Sequence, residues 1–290
     1  MNVIAAKQKM TVTKISDHIG AEVSGVDLTQ PVDAETKQKL HDVLVQHIVL
    51  VIRDQSFTAE QFLIAATLFG EPMERNFSEY ALADVPFVHS VSSRHRNKDG
   101  SVVKVGPRWH TDHTNEERPP KFTTLYAVEL PSKGGGGTSI ANMRAGYEGL
   151  PDAMKMQIDG LKTENVIAGS ASNYLNGDRV DAQQKVNPDP VLQPLVRTNV
   201  DTGTKALYFH PHKTECIVGM DPEESQALLK VVLEQALRDE FIYSHEWKLG
   251  DMLIWDNRSA MHKANYDYNP EDLTQHRLLY RSLIRGERPY

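Results

Sequence analysis

The sequence predicts a mainly β fold of the sandwich or jelly-roll kind, with helices at its periphery. Two observations support this prediction. Short strand-like runs recur along the chain, and the segments with helical periodicity gather near its beginning and its end. An alternating α/β sheet would place a helix between successive strands, so this order favours a β-sandwich or jelly roll.

Two helices are predicted in the first quarter of the chain. Asp33 can cap a helix that runs to about His47. Thr58, with Gln61 three residues later, forms a capping box for a second helix that ends near Gly70. The first helix has an apolar stripe at Leu40, Val43 and Leu44.

Strands are predicted where short apolar or alternating runs occur. These runs are residues 23–28, 48–52, 122–130, 241–245, 252–255 and 278–284. Two polar stretches interrupt them. Residues 86–105 resemble a surface loop or hairpin, and residues 163–200 a long excursion from the core that is typical of lids or binding segments.

Two later segments have helical composition. Residues 143–160 form the first. Asp221-Pro222, followed by Glu224, predicts a capped helix that runs to about Arg238. The residues expected to face inward on this helix are Ala227, Leu228, Val231, Val232 and Leu237.

Bulk properties exclude several classes of protein. The net charge of -7 and the absence of a basic stripe argue against nucleic-acid partners. No apolar run approaches the roughly 20 residues of a membrane span, and the start of the chain lacks a signal peptide. The single cysteine, Cys216, fits a reducing compartment, so a cytoplasmic location is expected. We expect residues 1–9 to be a loose leader and residues 10–290 to be a single domain.

The segment Trp109-His-Thr-Asp112 is the first with a chemical signature. In an extended strand, residues i and i+2 share a face, so His110 and Asp112 could hold one ion together. A distant His262, delivered after the apolar run that ends at Trp255, would complete a facial triad. Two His and one carboxylate leave coordination positions open, which suits Fe(II) that binds a chelating co-substrate and O2.

Two arginines accompany these candidates. Arg277 lies fifteen residues after His262, and alternation along the strand places Arg277 and Arg281 on one face. A guanidinium fork is a natural bidentate partner for a carboxylate. The chain therefore carries three metal-ligand candidates and a carboxylate clamp in the order that a 2-oxoglutarate oxygenase needs.

In these motifs the sequence resembles the taurine dioxygenase / 2,4-dichlorophenoxyacetate dioxygenase family of Fe(II)- and 2-oxoglutarate-dependent oxygenases. The resemblance covers nearly the whole chain. Its motifs are Gly20–Leu28, Phe69-Gly-Glu71, Trp109–Thr114, Pro119-Pro120, Leu130-Pro-Ser132, Gly135–Thr138, Trp255–Arg258, His262, Arg277 and Arg281.

The resemblance implies a double-stranded β-helix (a jelly roll, cupin-like) with Fe(2+) held by His110, Asp112 and His262. It implies that Thr138 and Arg277 bind the far carboxylate of 2-oxoglutarate, and that Arg281 faces an anionic substrate. The implied reaction consumes O2, yields succinate and CO2, and hydroxylates a substrate C–H. Cleavage of the hydroxylated product can follow. A homodimer or homotetramer is also implied.

The sequence departs from the taurine pattern at three places. Met73 stands about where taurine-using members carry a sulfonate-binding His, and Gly106-Pro-Arg108 replaces their usual Asn. The acidic residue before Thr138 is replaced by Gly137, so a flexible turn is expected there. The substrate predicted is a small organic anion other than taurine: a sulfonate, a sulfate ester, or an aryloxyalkanoate or other carboxylate.

Further polar and aromatic residues are candidates for roles around this site. His210 and His212, with Tyr208 on one strand, could line the substrate pocket, but an exposed or hydrogen-bonded strand pair is the favoured interpretation. The other three are predicted to support the site without binding the metal: His113, Trp255 and Asp256. Arg281 itself could instead be a structural ion-pair partner.

Two other classes of function remain open from the sequence. One is a non-catalytic jelly-roll protein that binds 2-oxoglutarate or another small anion; the intact triad argues against it. The other is a zinc hydrolase, since two His and one Asp can hold Zn²⁺ with an open position. No His-Glu-x-x-His base accompanies the triad, and a hydrolase leaves Arg277 unexplained.

Overall fold

The computed structural model describes residues 10–74, 79–166 and 189–290. The strands are β1 (Thr11–Lys14), β2 (Ala21–Ser24), β3 (Val49–Ile52), β4 (Ala81–Leu82), β5 (Val85–Ser92), β6 (Phe122–Glu129), β7 (Thr138–Asn142), β8 (Lys162–Asn165), β9 (Val191–Pro194), β10 (Val196–Thr198), β11 (Lys205–Leu207), β12 (Thr214–Ile217), β13 (Ile242–His245), β14 (Met252–Asp256), β15 (Ala260–Ala264) and β16 (Leu278–Ile284). The α-helices are α1 (Ala34–His47), α2 (Ala59–Thr67), α3 (Met143–Glu148), α4 (Asp152–Ile158) and α5 (Pro222–Ala236).

Two sheets packed face to face form the centre of the molecule. The larger has the order β1-β2-β3-β14-β6-β16-β5-β4, and the smaller the order β13-β7-β15. Side chains from both sheets meet in one apolar cluster, with Leu125, Trp255 and Leu279 from the larger and Ile140 and Ala260 from the smaller. The predicted jelly roll is confirmed.

The helices cover the outer faces of this sandwich. Helices α1 and α2 pack on the larger sheet, where Leu44 and Phe62 join Ile254 in a second apolar cluster. Helices α3 and α5 enclose a third cluster, which includes Leu229 and Met261. No helix within the described ranges is long and apolar enough to cross a membrane.

The predicted helix caps are confirmed where they fall in the described residues. The Asp33 carboxylate accepts the backbone N–H of Thr36 at 2.7 Å. The reciprocal bonds of the Thr58–Gln61 capping box are both present. Asp221 caps α5, which has Pro222 as its first residue. These caps satisfy backbone N–H groups that a helix start leaves without intrahelical partners.

Two predictions about the middle of the chain need correction and one is confirmed. Residues 86–105 were expected to form a surface loop or hairpin, but they include most of β5, which pairs with β16 and β4; a hairpin closed by the bridge between Arg96 and Val102 follows it. The helical composition of residues 143–160 is confirmed as two helices, with Pro151 preceding α4. The stretch 163–200 contributes β9, β10 and most of β8, while residues 167–188, like the predicted leader 1–9, lie outside the described residues.

The predicted inner face of α5 is right in part. Val232 is buried and both Leu228 and Leu237 pack against the core, but Ala227 and Val231 are exposed. The buried face also holds Ser225, Leu229 and Ala236. Ser225 belongs to this face because its hydroxyl accepts the backbone N–H of Ile217 at 2.7 Å. A count of apolar residues alone therefore misplaces the edges of the buried face.

Candidate active site

Three ligand-type side chains converge between the two sheets. One donor atom from each of His110, Asp112 and His262 lies within 4.8 Å of the others. His262 is on β15, and a two-way backbone bridge holds His110 beside it, with N···O distances of 3.0 and 2.7 Å. The two imidazole rings are 4.1 Å apart. The structure thus brings together the three residues predicted from distant parts of the sequence.

The local geometry differs from the extended strand expected around His110. His110 is only a bridge residue, and the chain turns from Asp112 onward. His113 has a positive φ of 53°, and its side chain contacts Glu116 at 3.0 Å. The pair His110 and Asp112 still meets at one site, as the spacing of two residues predicted. His113 points to a partner of its own, as expected for a residue that supports the site.

The electrostatics favour a carboxylate beside neutral imidazoles. Burial raises the pKa of Asp112, but Arg281 and the neighbouring histidines outweigh it, so the pKa lies well below its ordinary range. Burial lowers the pKa of His110, and burial with His110 lowers that of His262 well below the ordinary value. Asp112 is therefore ionised and both rings are neutral, which is the state that binds a cation.

The tautomer of His110 is fixed by its surroundings. Its Nδ1 lies 2.7 Å from the Arg108 carbonyl oxygen, which can only accept, so Nδ1 carries the hydrogen. The Nε2 lone pair is then left to face Asp112, whose Oδ1 is 4.0 Å away. Gly106 lies against the same ring, because a Cβ at this residue would be 2.7 Å from His110 Cε1.

A relay of hydrogen bonds orients the Asp112 carboxylate. Trp255 Nε1 donates to Asn257 Oδ1 at 2.9 Å, and Asn257 Nδ2 donates to Thr123 Oγ1 at 2.8 Å. Thr123 Oγ1 in turn donates to Asp112 Oδ2 at 2.6 Å. The Trp255 ring also packs on His262, with centroids 4.4 Å apart. The predicted supporting role of Trp255 has this physical basis.

Asp256 belongs to a separate buried ion pair. Its Oδ1 accepts from Arg258 Nε at 2.8 Å, and Asn199 Nδ2 donates to its Oδ2 at 2.9 Å. Burial raises the pKa of Asp256, but Arg258 outweighs it and the pKa is lowered. Asp256 therefore anchors the turn between β14 and β15, and through that turn the strand that carries His262.

A second polar cluster lies where β7 begins. Arg277 is buried, and its Nε donates to the Gly136 carbonyl at 2.8 Å. Thr138, two residues further, is the first residue of β7, and its hydroxyl accepts from Trp247 Nε1 at 3.2 Å. Gly136 has a positive φ of 70°, and its N–H donates to Asp267 Oδ1 at 2.6 Å. The glycine turn expected here is held by that bond.

Arg281 reaches the metal-ligand candidates directly. It lies on β16, and its Nη2 is 2.7 Å from Asp112 Oδ1. The sequence left two roles open for Arg281, a contact with an anionic substrate or a structural ion pair. The observed contact is an ion pair, and it lies among the metal-ligand candidates. Met73 lies near the end of the same strand, where its backbone N–H donates to the Leu283 carbonyl at 2.8 Å.

The two histidines predicted near the pocket do not form a strand pair. Strand β11 ends at Leu207, so Tyr208, His210 and His212 follow it. His210 is buried with its ring 5.8 Å from that of His110. Its Nδ1 accepts the backbone N–H groups of His212 and Lys213 at 3.1 and 3.2 Å. His212 is one ring further from the ligands, 6.0 Å from His210.

Four residues of the site were given no role from the sequence, although Gly106 and Asn257 lie in segments named there: Gly106, Thr123, Trp247 and Asn257. Asn257 had a signal, since it belongs to the same short motif as Trp255. Thr123 and Trp247 had none, because their partners are distant in sequence and each fits its own element as an ordinary strand or loop residue.

Comparison with known proteins adds to this geometry. A family model described as taurine catabolism dioxygenase TauD, TfdA family matches residues 11–283. The alpha-ketoglutarate-dependent 2,4-dichlorophenoxyacetate dioxygenase of Cupriavidus pinatubonensis is 30% identical over 265 residues, 85% of this chain and 89% of that protein. The alpha-ketoglutarate-dependent sulfate ester dioxygenase of Pseudomonas putida is 31% identical over 288 residues, 97% and 91% of the two proteins.

Solved structures give the same family resemblance. The crystal structure of AAD-2 in complex with Mn(II) and N-oxalylglycine has a TM-score of 0.80 and 30% identity to this chain. The match covers 97% of this chain and 99% of that one.

Proposed function

The chain belongs to the taurine catabolism dioxygenase TauD, TfdA family, and on this premise we propose the part that each residue plays in its reaction. The protein is an Fe(II)- and 2-oxoglutarate-dependent dioxygenase. It hydroxylates a C–H bond of a small organic anion and yields succinate and CO2. The observation that carries the assignment of residues is the convergence of one carboxylate and two neutral imidazoles within 4.8 Å, beside the guanidinium of Arg281.

We assign the iron to His110, Asp112 and His262. The donor set fits the metal, because two nitrogen ligands and one carboxylate on one side of an ion leave positions for a chelating co-substrate and O2. Their protonation states support the assignment. So do the hydrogen bonds that orient two of them, from His110 Nδ1 to the Arg108 carbonyl and from Thr123 to Asp112. When bound, the iron activates O2 for decarboxylation of 2-oxoglutarate and oxidation of the substrate.

We assign the far carboxylate of 2-oxoglutarate to Arg277 and Thr138. The bond from Arg277 Nε to Gly136 leaves the two Nη groups of the fork for a bidentate contact. Burial lowers the pKa of Arg277, and the nearby Tyr268, Tyr266 and Asp267 partly offset this effect. The guanidinium stays charged at physiological pH, because an arginine is not deprotonated in proteins. A carboxylate partner would offset the cost of burying this charge.

We propose that Arg281 binds the anionic end of the prime substrate. Its guanidinium has five donors, and one Nη2 contact to Asp112 leaves others for an anion beside the metal. His210, whose Nδ1 is already an acceptor, carries its hydrogen on Nε2 when neutral and offers one further donor near His110. His212 and Met73 are proposed as outer residues of this pocket.

The substrate class follows from Arg281 and from the relatives. The relatives named above act on a 2,4-dichlorophenoxyacetate and on sulfate esters, both of which combine an anion with an ether-like or ester C–O bond. We propose a substrate of this kind, an aryloxyalkanoate or a sulfate ester. Hydroxylation of the carbon that bears the oxygen then lets the product break at the C–O bond.

The test is succinate release from 2-oxoglutarate with Fe(II), ascorbate and O2, across a panel of sulfate esters, sulfonates and aryloxyalkanoates. One class should stimulate release strongly. Arg281→Ala should reduce that stimulation and leave slow unstimulated release. Iron-bound protein that forms no succinate with any compound would overturn the proposal in favour of a non-catalytic binding protein.

We further propose that residues 10–290 act as one catalytic domain in the cytoplasm, as a homodimer or homotetramer. The single domain is supported by the ligand set, which joins His110 to His262 across most of the chain. Light scattering of the purified protein measures the oligomeric state, and a monomeric mass would contradict that part.

A further inference from the structure

A half-buried tryptophan reaches the hydroxyl that we assign to 2-oxoglutarate. Trp247 Nε1 donates to Thr138 Oγ1 at 3.2 Å. An indole N–H can only donate, so the hydroxyl oxygen is the acceptor and its hydrogen points away from the indole. Thr138 is only 3% exposed, so there is little access for water to replace this bond.

The contact arises from the pairing of β13 with β7. His245, the last residue of β13, is opposite Thr138 in the register. Trp247 follows two residues later, and its indole reaches Thr138 at the start of β7. The backbones approach closely here, since a Cβ on Gly137 would be 2.8 Å from the His245 carbonyl oxygen. The indole is thus held next to Thr138 by the sheet itself.

A buried network fixes the plane of the indole. The Trp247 ring stands edge-on to His245, with centroids 4.5 Å apart and planes at 88°. His245 is fully buried between the Tyr243 hydroxyl, 2.8 Å from Nδ1, and Asp251 Oδ2, 3.2 Å from Nε2. Asp251 also accepts from Arg53 at 2.6 Å. The indole N–H therefore has a defined direction, set by residues that do not reach the metal.

We propose that Trp247 is a positioning residue that directs the Thr138 hydroxyl hydrogen towards the far carboxylate of 2-oxoglutarate. A carboxylate can only accept, so Thr138 contributes to its binding only when the hydroxyl donates. By occupying the oxygen as an acceptor, Trp247 enforces that polarity and makes the hydroxyl a stronger donor. Thr138 then acts with the free Nη groups of Arg277. This inference rests on the proposed roles of Thr138 and Arg277.

A positioning role for Trp247 and a mere packing role predict different results for the variant Trp247→Phe. Trp247→Phe keeps a ring against His245 and removes only the N–H. It should weaken every ligand that carries the far carboxylate, including 2-oxoglutarate, succinate and N-oxalylglycine. It should leave metal affinity and thermal stability close to those of the wild type. In turnover, the KM for 2-oxoglutarate should rise while kcat changes little.

The test is calorimetric titration of Mn(II)-loaded protein with N-oxalylglycine. Trp247→Phe should weaken binding by about 5- to 30-fold, because it removes one hydrogen bond from the chain that runs from the indole through the Thr138 hydroxyl to the carboxylate. Thr138→Ala should weaken it by a similar factor. The double variant should be no weaker than Thr138→Ala alone, because the indole acts through the hydroxyl.

The outcomes separate this inference from the proposed function. Wild-type protein that binds no N-oxalylglycine overturns the proposed function and this inference with it. If Thr138→Ala weakens binding and Trp247→Phe does not, only the role of Trp247 is overturned. A Trp247→Phe effect that persists in full without the Thr138 hydroxyl also overturns it, since the effect then comes from packing.

Discussion

Removing the Thr123 hydroxyl should weaken metal binding without displacing a ligand. Thr123→Val keeps the shape of the side chain and deletes the 2.6 Å bond to Asp112. A hydrogen bond to a charged group contributes about 1.5 to 3 kcal/mol, and about 1.4 kcal/mol corresponds to a factor of ten. The expected loss of metal affinity is therefore about 10- to 100-fold, the range found for outer contacts of metal ligands.

The next residue supplies a matched control. Thr124 is as buried as Thr123, but its hydroxyl donates to the Ser282 carbonyl at 3.0 Å and does not contact Asp112. Thr124→Val should lower the free energy of unfolding by about 1 kcal/mol and leave metal affinity unchanged. Both affinities are measured by calorimetric titration with Mn(II), and both stabilities by urea unfolding of the metal-free protein.

Two results would refute the relay. Thr123→Val could bind Mn(II) with wild-type affinity, which would mean that the metal alone orients Asp112. Alternatively, Thr124→Val could lower the affinity for Mn(II) to the same extent. That would mean that any loss of stability in β6 disturbs the metal site. Thr123→Val should also lower the free energy of unfolding, because Asn257 Nδ2 loses its buried acceptor. The comparison with Thr124→Val separates this loss of stability from a loss of metal affinity.

Three further predictions follow from the same geometry. Arg277→Ala should raise the KM for 2-oxoglutarate at least about tenfold through loss of a charged bidentate contact, while Mn(II) affinity stays at the wild-type value in titration. Gly106→Ala should lower Mn(II) affinity. Gly106 has a φ of 60°, and the new methyl group would displace His110, whose Cε1 lies 2.7 Å from an ideal Cβ at this residue. An unchanged affinity would contradict this prediction. Burial lowers the pKa of His245 despite Asp251, so the unfolded chain binds the extra proton and stability falls as pH drops below about 6.5. His245→Gln should reduce that fall in urea midpoints measured from about pH 8 to about pH 5, while buried His110 and His262 account for a remaining part.

Local interactions explain why part of the fold could be predicted. The caps at Asp33, Thr58 and Asp221 satisfy backbone groups within three residues, so their signals are written in adjacent positions. Residues 49–52 of the apolar run 48–52 form a strand buried along its whole length for a similar reason, since a central strand needs apolar residues on both faces. Such elements depend little on what the rest of the chain does.

The errors fall where a distant partner decides. Residues 86–92 were expected to belong to a polar surface loop or hairpin, but the pairing of β5 with β16 places His89 opposite Arg281 and Val91 opposite Leu279 on the inner face. The buried face of α5 includes Ser225, whose hydroxyl accepts a backbone N–H on another element. Residue type and spacing cannot reveal either contact, because both are set by which strands become neighbours.

The sequence by itself determined which side chains can form the site: two imidazoles, one carboxylate and two guanidinium groups in a fixed order, with motifs that indicate the family. The tertiary structure decided how they are used. The bridge between His110 and His262, the relay that passes from Asn257 to Thr123 and on to Asp112, and the indole of Trp247 all join residues far apart in the chain. Sequence fixes the chemistry of a donor atom, whereas its direction depends on sheet register and on contacts that exist only once the two sheets have packed.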